Sequence, residues 1–220
     1  MIKLVNVSKT YGEKDGRVEA LKSTNLLIPD HELVAILGKT GSGKTTLLNM
    51  IGALDKPTTG EIFFGDDDIT KMNEDELADY RNRNIGYVFQ SFYLDDSSSV
   101  IDNVMMPEII AGIGKEKRTQ KARKYLTILG ISEKESTKVR DLSGGQKQRV
   151  AVARALVNDP DVILADEPTG NLDSENGKEV LELLKTIVQM GKTVILVTHN
   201  VADAEKYADV IFTITDGVIQ

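Results

Sequence analysis

The stretch of sequence that decides the fold is Gly38-Lys39-Thr40-Gly41-Ser42-Gly43-Lys44-Thr45-Thr46. It follows the apolar run 33–37 and precedes the largely apolar segment 47–51. This order predicts a buried strand, a glycine-rich turn and then a helix. The spacing fits the phosphate-binding P-loop, Gly-x-x-x-x-Gly-Lys-[Ser/Thr]. The alternative is a chance match to four fixed positions, and the strand and helix predicted on either side argue against it.

Each residue type in this stretch has a physical reason to be there. Glycines let the backbone curl so that successive N–H groups converge on an anion. The helix predicted to start near Lys44 points its N-terminal dipole and unpaired N–H groups at the same place. Lys44 adds a positive charge for the outer phosphates, and the Thr45 hydroxyl can ligate Mg²⁺. We therefore expect residues 38–46 to bind a nucleotide through its phosphates.

The composition limits the class of protein. The chain has 220 residues, 40% hydrophobic and 28% charged, which predicts one globular domain over 1–220. A net charge of −7 without a long basic run argues against nucleic acid as a partner. The chain has no Cys, which excludes disulfides and thiol catalysis. No apolar run reaches the ~20 residues that a membrane helix needs, so we expect another chain to supply any membrane part.

The apolar pattern predicts an α/β fold. The segments 33–37 and 193–197 are almost continuously apolar, 161–167 has an apolar centre with acidic residues at its ends, and helical patterns separate the segments. Such strands indicate a parallel sheet that is covered on both faces. Ligands bind these sheets at the carboxyl ends of the strands, which is where residues 38–46, the pair Asp166-Glu167 and His199 fall. Further helices are predicted over 74–82, 116–129, 175–190 and 202–207.

Two local patterns leave alternatives open. The aspartates 66–68 could form a metal site, but a solvated turn is the simpler interpretation because adjacent carboxylates point in different directions. The helix predicted over 116–129 is rich in basic residues. They indicate either a solvated face or a contact with lipid headgroups or a partner, and they are Lys115, Lys117, Arg118, Lys121, Arg123 and Lys124.

Over essentially its whole length, the sequence resembles the nucleotide-binding ATPase domain of ATP-binding-cassette (ABC) transporters. Six motifs occur in the order typical of that family: Tyr11, Gly38 to Thr46, Gln90, Leu142 to Gln146, Asp166-Glu167 and His199. The run Leu-Ser-Gly-Gly-Gln is the most specific of them. The resemblance implies a P-loop NTPase core with a parallel sheet, over about 1–90 and 156–220. It also implies an antiparallel β subdomain, and a helical signature subdomain over about 91–155.

The resemblance assigns chemistry to the strand-end residues. Asp166 would hold Mg²⁺ together with Thr45 and Gln90, and the alternative for Asp166 alone is a helix cap. Glu167 would orient or deprotonate the attacking water, since the reaction needs a positioned proton acceptor. His199 would hydrogen-bond the γ-phosphate, against the alternative of a histidine satisfied within the core. Gln90 would couple the nucleotide state to the segment that follows it.

The remaining motifs imply base binding and assembly. Tyr11 would stack on adenine, and the alternative is an ordinary turn tyrosine. The signature residues Ser143, Gly144, Gly145 and Gln146 would act on ATP held by another subunit, since one chain cannot place two helix N-termini usefully on one triphosphate. The loop Asn171-Leu172-Asp173 would line that interface. We therefore expect an ATP-dependent homodimer.

The runs 55–58, 85–92 and 166–173 resemble one branch of the family, the macrolide-export, lipoprotein-release and antimicrobial-peptide-resistance ATPases. The implied protein lies in the cytoplasm, peripheral on the inner face of the cell membrane, and is held there by an integral-membrane permease. A mechanotransmitting or signalling ATPase that moves no solute is the alternative. A cassette acting on ribosomes or DNA is less suited, because it usually has two cassettes or a large insertion. The segments 94–99 and 137–141 depart from the branch pattern where a permease would bind.

Overall fold

The computed structural model describes residues 1–12 and 16–220, and within them the strands form two sheets. The strands are β1 (Ile2–Tyr11), β2 (Val18–Ile28), β3 (Leu33–Leu37), β4 (Thr59–Phe64), β5 (Asp67–Asp68), β6 (Ile85–Phe89), β7 (Val162–Asp166), β8 (Thr193–Thr198), β9 (Val210–Thr215) and β10 (Val218–Ile219). The α-helices are α1 (Lys44–Ile51), α2 (Glu74–Asn84), α3 (Val100–Ile110), α4 (Lys115–Ile128), α5 (Gly144–Leu156), α6 (Ser174–Gln189) and α7 (Val201–Tyr207).

The larger sheet has the order β10-β9-β3-β8-β7-β6. Its strands β6, β7, β8, β3 and β9 pair in parallel, and β10 closes an antiparallel hairpin with β9. Every residue of β3 and β8 is buried because helices or the second sheet cover both faces. The α/β class with a parallel-sheet core is confirmed.

The smaller sheet is antiparallel, in the order β2-β1-β4-β5. In β1, Ile2, Leu4 and Val7 are buried, although strict alternation would bury every second residue. The register shifts between Leu4 and Val7, and Asn6 lies between them with φ at 51°. This bulge adds one residue and returns Val7 to the core face.

Two apolar clusters lie on opposite faces of the parallel sheet, so alternate residues of β7 belong to different clusters. Ile163 and Ala165 pack with helices α3 to α6 on one face. Val162 and Leu164 pack on the other face with α1 and the antiparallel sheet. Helix α1 contacts β2 of one sheet and β7 and β8 of the other, so the helix that follows the glycine-rich turn is fixed from both sides.

The predicted helices lie at α2, α4, α6 and α7, with ends within two residues of the expected positions. Helix α3 was not predicted, because Pro107 lies inside it and proline usually interrupts helices. The Ser99 side chain caps α3 by accepting a hydrogen bond from the Asp102 amide. Helices α3, α4 and α5 pack on one another.

Local contacts involve residues of both patterns for which the sequence left alternatives open. Asp68 caps the turn at Ile69–Lys71 and pairs with Lys71 Nζ at 2.7 Å. Across residues 1–12 and 16–220, no group of three His, Asp or Glu side chains is arranged to hold a metal ion. On α4, Lys121 pairs with the buried Glu108 at 2.7 Å, so this lysine belongs to the packing between α3 and α4.

In the described part of the chain, no helix has both the length and the apolar character needed to span a membrane.

Candidate active site

The glycine-rich turn joins β3 to α1 with left-handed backbone at two glycines. Gly41 has φ at 81°, and Gly43, the N-cap of α1, has φ at 107°. A Cβ on Gly43 would lie 2.3 Å from the Ala20 carbonyl oxygen, which is closer than any real contact. The turn therefore requires glycine at 43 for both conformation and space. Its curvature leaves the N-terminus of α1 open toward the cavity described below.

Lys44 is bent back over the turn. Its Nζ donates to the carbonyl oxygens of Gly38 at 2.7 Å and Lys39 at 3.0 Å. The side chain is only 7% exposed, and Nζ lies 3.9 Å from Glu167 Oε1. The turn therefore holds a buried positive charge beside the N-terminus of α1, and both attract anions.

Asp166 ends β7 beside the first turn of α1. Thr45 Oγ1 donates to Asp166 Oδ2 at 3.0 Å. Burial raises the pKa of Asp166 because the charged carboxylate loses water, and the nearby Glu167 charge acts in the same direction. The Thr45 hydrogen bond and the Lys44 charge oppose this shift without cancelling it. The predicted pair of oxygen ligands, Thr45 and Asp166, is thus in contact.

Glu167 follows β7 in a left-handed conformation, with φ at 46°. Its amide donates to the Val197 carbonyl oxygen at 2.9 Å, which ties the turn to β8. The Oε2 atom lies 2.9 Å from His199 Nδ1, and the His199 side chain is 68% exposed. His199 is therefore not a core histidine. A non-glycine residue in this region is strained, and such strain persists where neighbouring structure enforces it.

Gln90 directly follows β6, whose last residue Phe89 pairs in register with Asp166. The Gln90 carbonyl oxygen accepts from Asn171 Nδ2 at 2.9 Å, and its side-chain Nε2 donates to Asn171 Oδ1 at 3.4 Å. The loop 171–173 is thus joined to Gln90 within one chain, a contact that the sequence did not predict.

These side chains surround a single open cavity of about 420 Å³. Its lining residues are Ala20, Thr40, Gly41, Gly43, Lys44, Thr45, Thr46, Gln90, Asp166, Glu167 and His199. Of the predicted nucleotide-binding residues, Gly38 and Lys39 lie beneath the turn as acceptors for Lys44. Ser42 is buried, and within the described residues its Oγ has no hydrogen-bond partner. Tyr11 is not among the lining residues described, and its hydroxyl donates to Asp55.

The signature residues lie elsewhere on the same chain. Ser143 caps α5 by accepting from the Gln146 amide at 3.4 Å, while Gln146 Oε1 accepts from the Ser143 amide at 3.0 Å. Ser143, Gly145 and Gln146 line a separate cavity of about 280 Å³ with residues of α6. One chain therefore presents two helix N-termini, those of α1 and α5, that open into different cavities.

The loop 171–173 lies between these two cavities. Asp173 caps α6 by accepting from the amides of Glu175 and Asn176. Leu172 lies beside Gly144, because a Cβ on that glycine would lie 3.4 Å from Leu172 Cδ2. The loop thus contacts the signature through Leu172 and Gln90 through Asn171.

A family model described as ABC transporter matches residues 21–170 of the sequence. The chain belongs to the ABC transporter family. It is 43% identical to an uncharacterized ABC transporter ATP-binding protein of Thermotoga maritima, covering 100% of this chain and 94% of that protein. It is also 46% identical to the macrolide export ATP-binding/permease protein MacB of Pasteurella multocida. That match covers 100% of this chain and 34% of MacB, so the chain spans about a third of the MacB relatives.

Solved ABC structures share the fold closely. The dimeric structure of a post-hydrolysis state of an ATP-binding cassette, bound to ADP and Pi, has a TM-score of 0.90 and 41% identity. The match covers 100% of this chain and 98% of that one. A dimeric bacterial ABC transporter cassette gives a TM-score of 0.89 at 43% identity, covering 99% and 95% of the two chains. The prediction of an ABC-type P-loop fold is confirmed.

Two features of this ABC chain were not predicted from sequence. Asp55 accepts a hydrogen bond from Tyr11, and Arg154 on α5 holds the segment after Gln90. Arg154 donates to the carbonyl oxygens of Phe92, at 2.7 Å, and of Tyr93. Both aromatic residues have left-handed backbone, with φ at 58° and 49°. No sequence pattern signals such a conformation in aromatic residues, so this contact could not have been foreseen.

An apolar groove of about 470 Å³ lies between α2, β6, α3 and α5. Tyr93, Met106 and Ile110 line it with largely exposed side chains. Arg154 of α5 and Asn158, two residues after the end of that helix, also contribute to it. The groove therefore begins next to the segment that follows Gln90.

Proposed function

We propose that the chain binds ATP and hydrolyses it to ADP and phosphate, as the ATP-binding subunit of a membrane transporter. One observation carries the proposal: a single cavity brings together Lys44, the Thr45–Asp166 pair, Gln90 and the Glu167–His199 pair. An anion-binding turn, oxygen ligands and a carboxylate base in one cavity are the parts that phosphoryl transfer to water needs.

The residues of the turn 38–46 hold the triphosphate. The open N-terminus of α1 supplies N–H donors, and Lys44 can turn from the carbonyls of Gly38 and Lys39 toward the outer phosphates. Thr45, Asp166 and Gln90 would hold Mg²⁺, because their oxygen atoms are of the kind this cation prefers and Asp166 is partly buried. When bound, Mg²⁺ would neutralise part of the negative charge on the phosphates.

Glu167 and His199 act on the water and the γ-phosphate. Glu167 accepts the proton of the attacking water, and its strained backbone and the bond to Val197 fix its carboxylate above Lys44. An ionised carboxylate only accepts hydrogen bonds, so Nδ1 of His199 carries the proton in this pair. To donate to the γ-phosphate, His199 needs a second proton on Nε2 or a rotation away from Glu167.

The signature makes the functional unit a homodimer. In the single chain, Ser143 to Gln146 open into a cavity other than the one that holds Lys44. A second copy related by a two-fold axis would place its signature over the first copy's ATP, and the reverse contact follows by symmetry. ATP at both sites would favour the closed dimer, and hydrolysis would release it. The dimeric form of both similar cassettes supports this assembly.

The membrane partner would be an integral-membrane permease, so the chain would lie on the cytoplasmic face of the membrane. The groove at Tyr93, Met106 and Ile110 supports this role, because exposed apolar side chains are typical of partner-binding surfaces. The groove lies between α2 and β6 on one side and α3 and α5 on the other. We assign α3 to α5 to a subdomain over about 91–155, with the core over 1–90 and 156–220. The MacB relatives support an exporter of the macrolide-export or lipoprotein-release type.

Replacement of Glu167 by glutamine tests the proposed base. The variant keeps the shape of the side chain but removes the proton acceptor, so we expect ATP binding to persist and turnover to fall by about 10²–10⁴-fold. The measurements are ATP affinity by calorimetry and phosphate release at saturating ATP. Glu205→Gln, an exposed change of the same kind on α7, is the control. Turnover of Glu167→Gln equal to that of the wild type would contradict the assignment.

A further inference from the structure

Three side chains form a hydrogen-bonded network at the end of β1, outside the cavity that holds Lys44. The Tyr11 hydroxyl donates to Asp55 Oδ2 at 2.7 Å. Lys9 Nζ donates to Asp55 Oδ1 at 2.5 Å and to the Lys56 carbonyl oxygen at 2.7 Å. The Lys56 amide donates to Asp55 Oδ1 at 2.8 Å. Both carboxylate oxygens of Asp55 are thus occupied, and Tyr11 is bonded to one of them.

This network links Tyr11 to the helix that carries the phosphate-binding turn. Asp55 lies four residues after the end of α1, and its amide donates to the carbonyl oxygen of Asn49 within that helix at 3.2 Å. Helix α1 has eight residues, so its two ends lie about 12 Å apart. Thr46, in the first turn of α1, also lies close enough to the Tyr11 hydroxyl to act on its pKa, in the lowering direction. Asp55 and the first turn of α1 therefore together set where the Tyr11 ring stands.

The network also orients the ring. Lys9 Nζ lies 4.8 Å from the centroid of the Tyr11 ring, so the ammonium group covers one face. Tyr11 remains 40% exposed, and since the ammonium covers one face of its ring, we infer that a planar group would stack on the opposite face. The ammonium on the first face and the hydroxyl bond to Asp55 together limit how the ring can tilt.

The protonation states of Tyr11 and Asp55 favour the hydrogen bond between them. Burial raises the pKa of Tyr11, and the hydrogen bond to Asp55 raises it further. Burial also favours the neutral form of Asp55, but the bonds from Lys9, Tyr11 and the Lys56 amide outweigh it and hold the pKa of Asp55 below its usual value. Near neutral pH the phenol therefore donates and the carboxylate accepts.

We propose that Asp55, held by Lys9, is a positioning residue that fixes the Tyr11 ring as a one-sided platform for the adenine base. The inference rests on the proposed function, in which Tyr11 stacks on adenine. Neither Asp55 nor Lys9 is among the lining residues described for the cavity at Lys44, so both would act on the nucleotide through Tyr11. Loss of Asp55 or Lys9 thus weakens the binding of ligands that carry the base and leaves unchanged the binding of ligands that consist of phosphates only.

The experiment compares ADP with inorganic pyrophosphate, which has the same number of phosphates and no base. Calorimetry at fixed Mg²⁺ gives both affinities for the wild type, Tyr11→Phe, Asp55→Ala and the double variant. Each single change weakens ADP binding about 3- to 10-fold, the effect of one net hydrogen bond, and leaves pyrophosphate within about twofold. The double variant weakens ADP binding no more than either single change, because both remove the same interaction. Asp66→Ala, which removes an exposed charge from the smaller sheet's turn, is the control and leaves both affinities unchanged.

Several results would overturn the inference. Additive effects in the double variant would mean that Asp55 and Tyr11 act independently. Equal weakening of ADP and pyrophosphate by Asp55→Ala would mean that Asp55 only supports α1. If Asp55→Ala is unstable, Tyr11→Phe provides the test, since it removes only a surface hydroxyl. Unchanged ADP affinity in Tyr11→Phe would refute the role of the Tyr11–Asp55 hydrogen bond.

Tyr11→Ala separates this inference from the function on which it rests. It removes the whole ring and weakens ADP binding more than Tyr11→Phe does. Unchanged ADP affinity in Tyr11→Ala would refute adenine stacking itself, and the positioning role with it. Weaker ADP binding in Tyr11→Ala, with wild-type affinity in both Tyr11→Phe and Asp55→Ala, would refute only the positioning role.

Discussion

At the scale of single residues, the site depends on backbone conformations that side chains rarely adopt. Gly43 and Glu167 both have positive φ, and they stand at the ends of neighbouring elements that meet at the cavity. Glycine adopts such a conformation freely, whereas Glu167 is held there by its bond to Val197 and by the contacts of its carboxylate. The arrangement places the carboxylate 3.9 Å from the buried Lys44 ammonium, in the cavity where phosphate would bind.

Replacement of Gly43 by alanine tests the requirement for a left-handed, closely packed residue at the N-cap of α1. The added Cβ would clash with the Ala20 carbonyl oxygen and force the turn to move. We expect ATP affinity to fall at least tenfold and the free energy of unfolding to fall by about 1–3 kcal/mol. Calorimetry and urea denaturation measure the two effects.

The control for this prediction is Gly65→Ala. Gly65 also has positive φ, at 59°, and no atom in the described part of the chain lies within 4 Å of its Cβ position. Gly65→Ala should lower the free energy of unfolding by about 1 kcal/mol without changing ATP affinity. Equal ATP affinity in Gly43→Ala and the wild type would contradict the account of the turn.

Sequence and structure agree best at residues whose role depends on a fixed local spacing. Lys44 and Thr45 follow the glycine-rich turn directly, and Asp166 ends an apolar strand, so all three could be placed from the sequence. The bond from Tyr11 to Asp55 spans 44 positions along the chain, and no local pattern encodes such a contact. For that reason the sequence indicated Tyr11 as a base-binding residue but did not predict its hydrogen bond to Asp55.

At the scale of elements, α5 connects the signature with the segment that follows Gln90. It begins after Ser143, and near its other end Arg154 binds the carbonyl oxygens of Phe92 and Tyr93. Two successive left-handed aromatic residues are costly, and the half-buried Arg154 guanidinium offsets that cost with charged hydrogen bonds. Because of these hydrogen bonds, a movement of α5 would also move the segment after Gln90, which lies beside the groove.

Arg154→Met tests this connection, because it keeps the apolar stem and removes the donors. We expect the free energy of unfolding to fall by about 2–3 kcal/mol, since two carbonyl groups lose a charged donor. ATP affinity should stay within about twofold and turnover should fall, because the segment after Gln90 loses its fixed position. Denaturant titration, calorimetry and phosphate release measure these effects.

Arg140→Met is the matched control for this prediction, since Arg140 is exposed and its contact with Asp141 is long, at 3.9 Å. It should change none of the three quantities appreciably. Wild-type stability and turnover in Arg154→Met would show that α5 does not hold the segment.

The elements were predicted where periodicity was undisturbed and missed where a local exception intervened. The continuously apolar strands and the helices α2, α4, α6 and α7 follow from pattern alone. Helix α3 escaped prediction because Pro107 interrupts the expected composition. The buried residues Leu4 and Val7 are three positions apart, which a regular strand does not allow, and the bulge at Asn6 explains this interval. Both exceptions depend on tertiary packing, which a local pattern does not contain.

At the scale of the whole molecule, the chain carries two separate halves of a site. The cavity at Lys44 and the cavity at Ser143 lie at different helix N-termini, and the loop 171–173 joins them. The parallel topology of the sheet could be predicted, because continuously apolar strands must be covered on both faces. How two copies meet depends on surface complementarity, which composition and periodicity do not report.

The molecular mass in solution tests the central claim, that ATP binds between two copies. Light scattering coupled to gel filtration would be run on Glu167→Gln with MgATP, with MgADP and without nucleotide. We predict about 24 kDa without nucleotide or with ADP and about 48 kDa with ATP, twice the chain mass of 24.1 kDa. Adding Ser143→Arg should restore the monomer while ATP affinity measured on the single chain persists. A monomeric mass for Glu167→Gln at saturating MgATP would contradict the account.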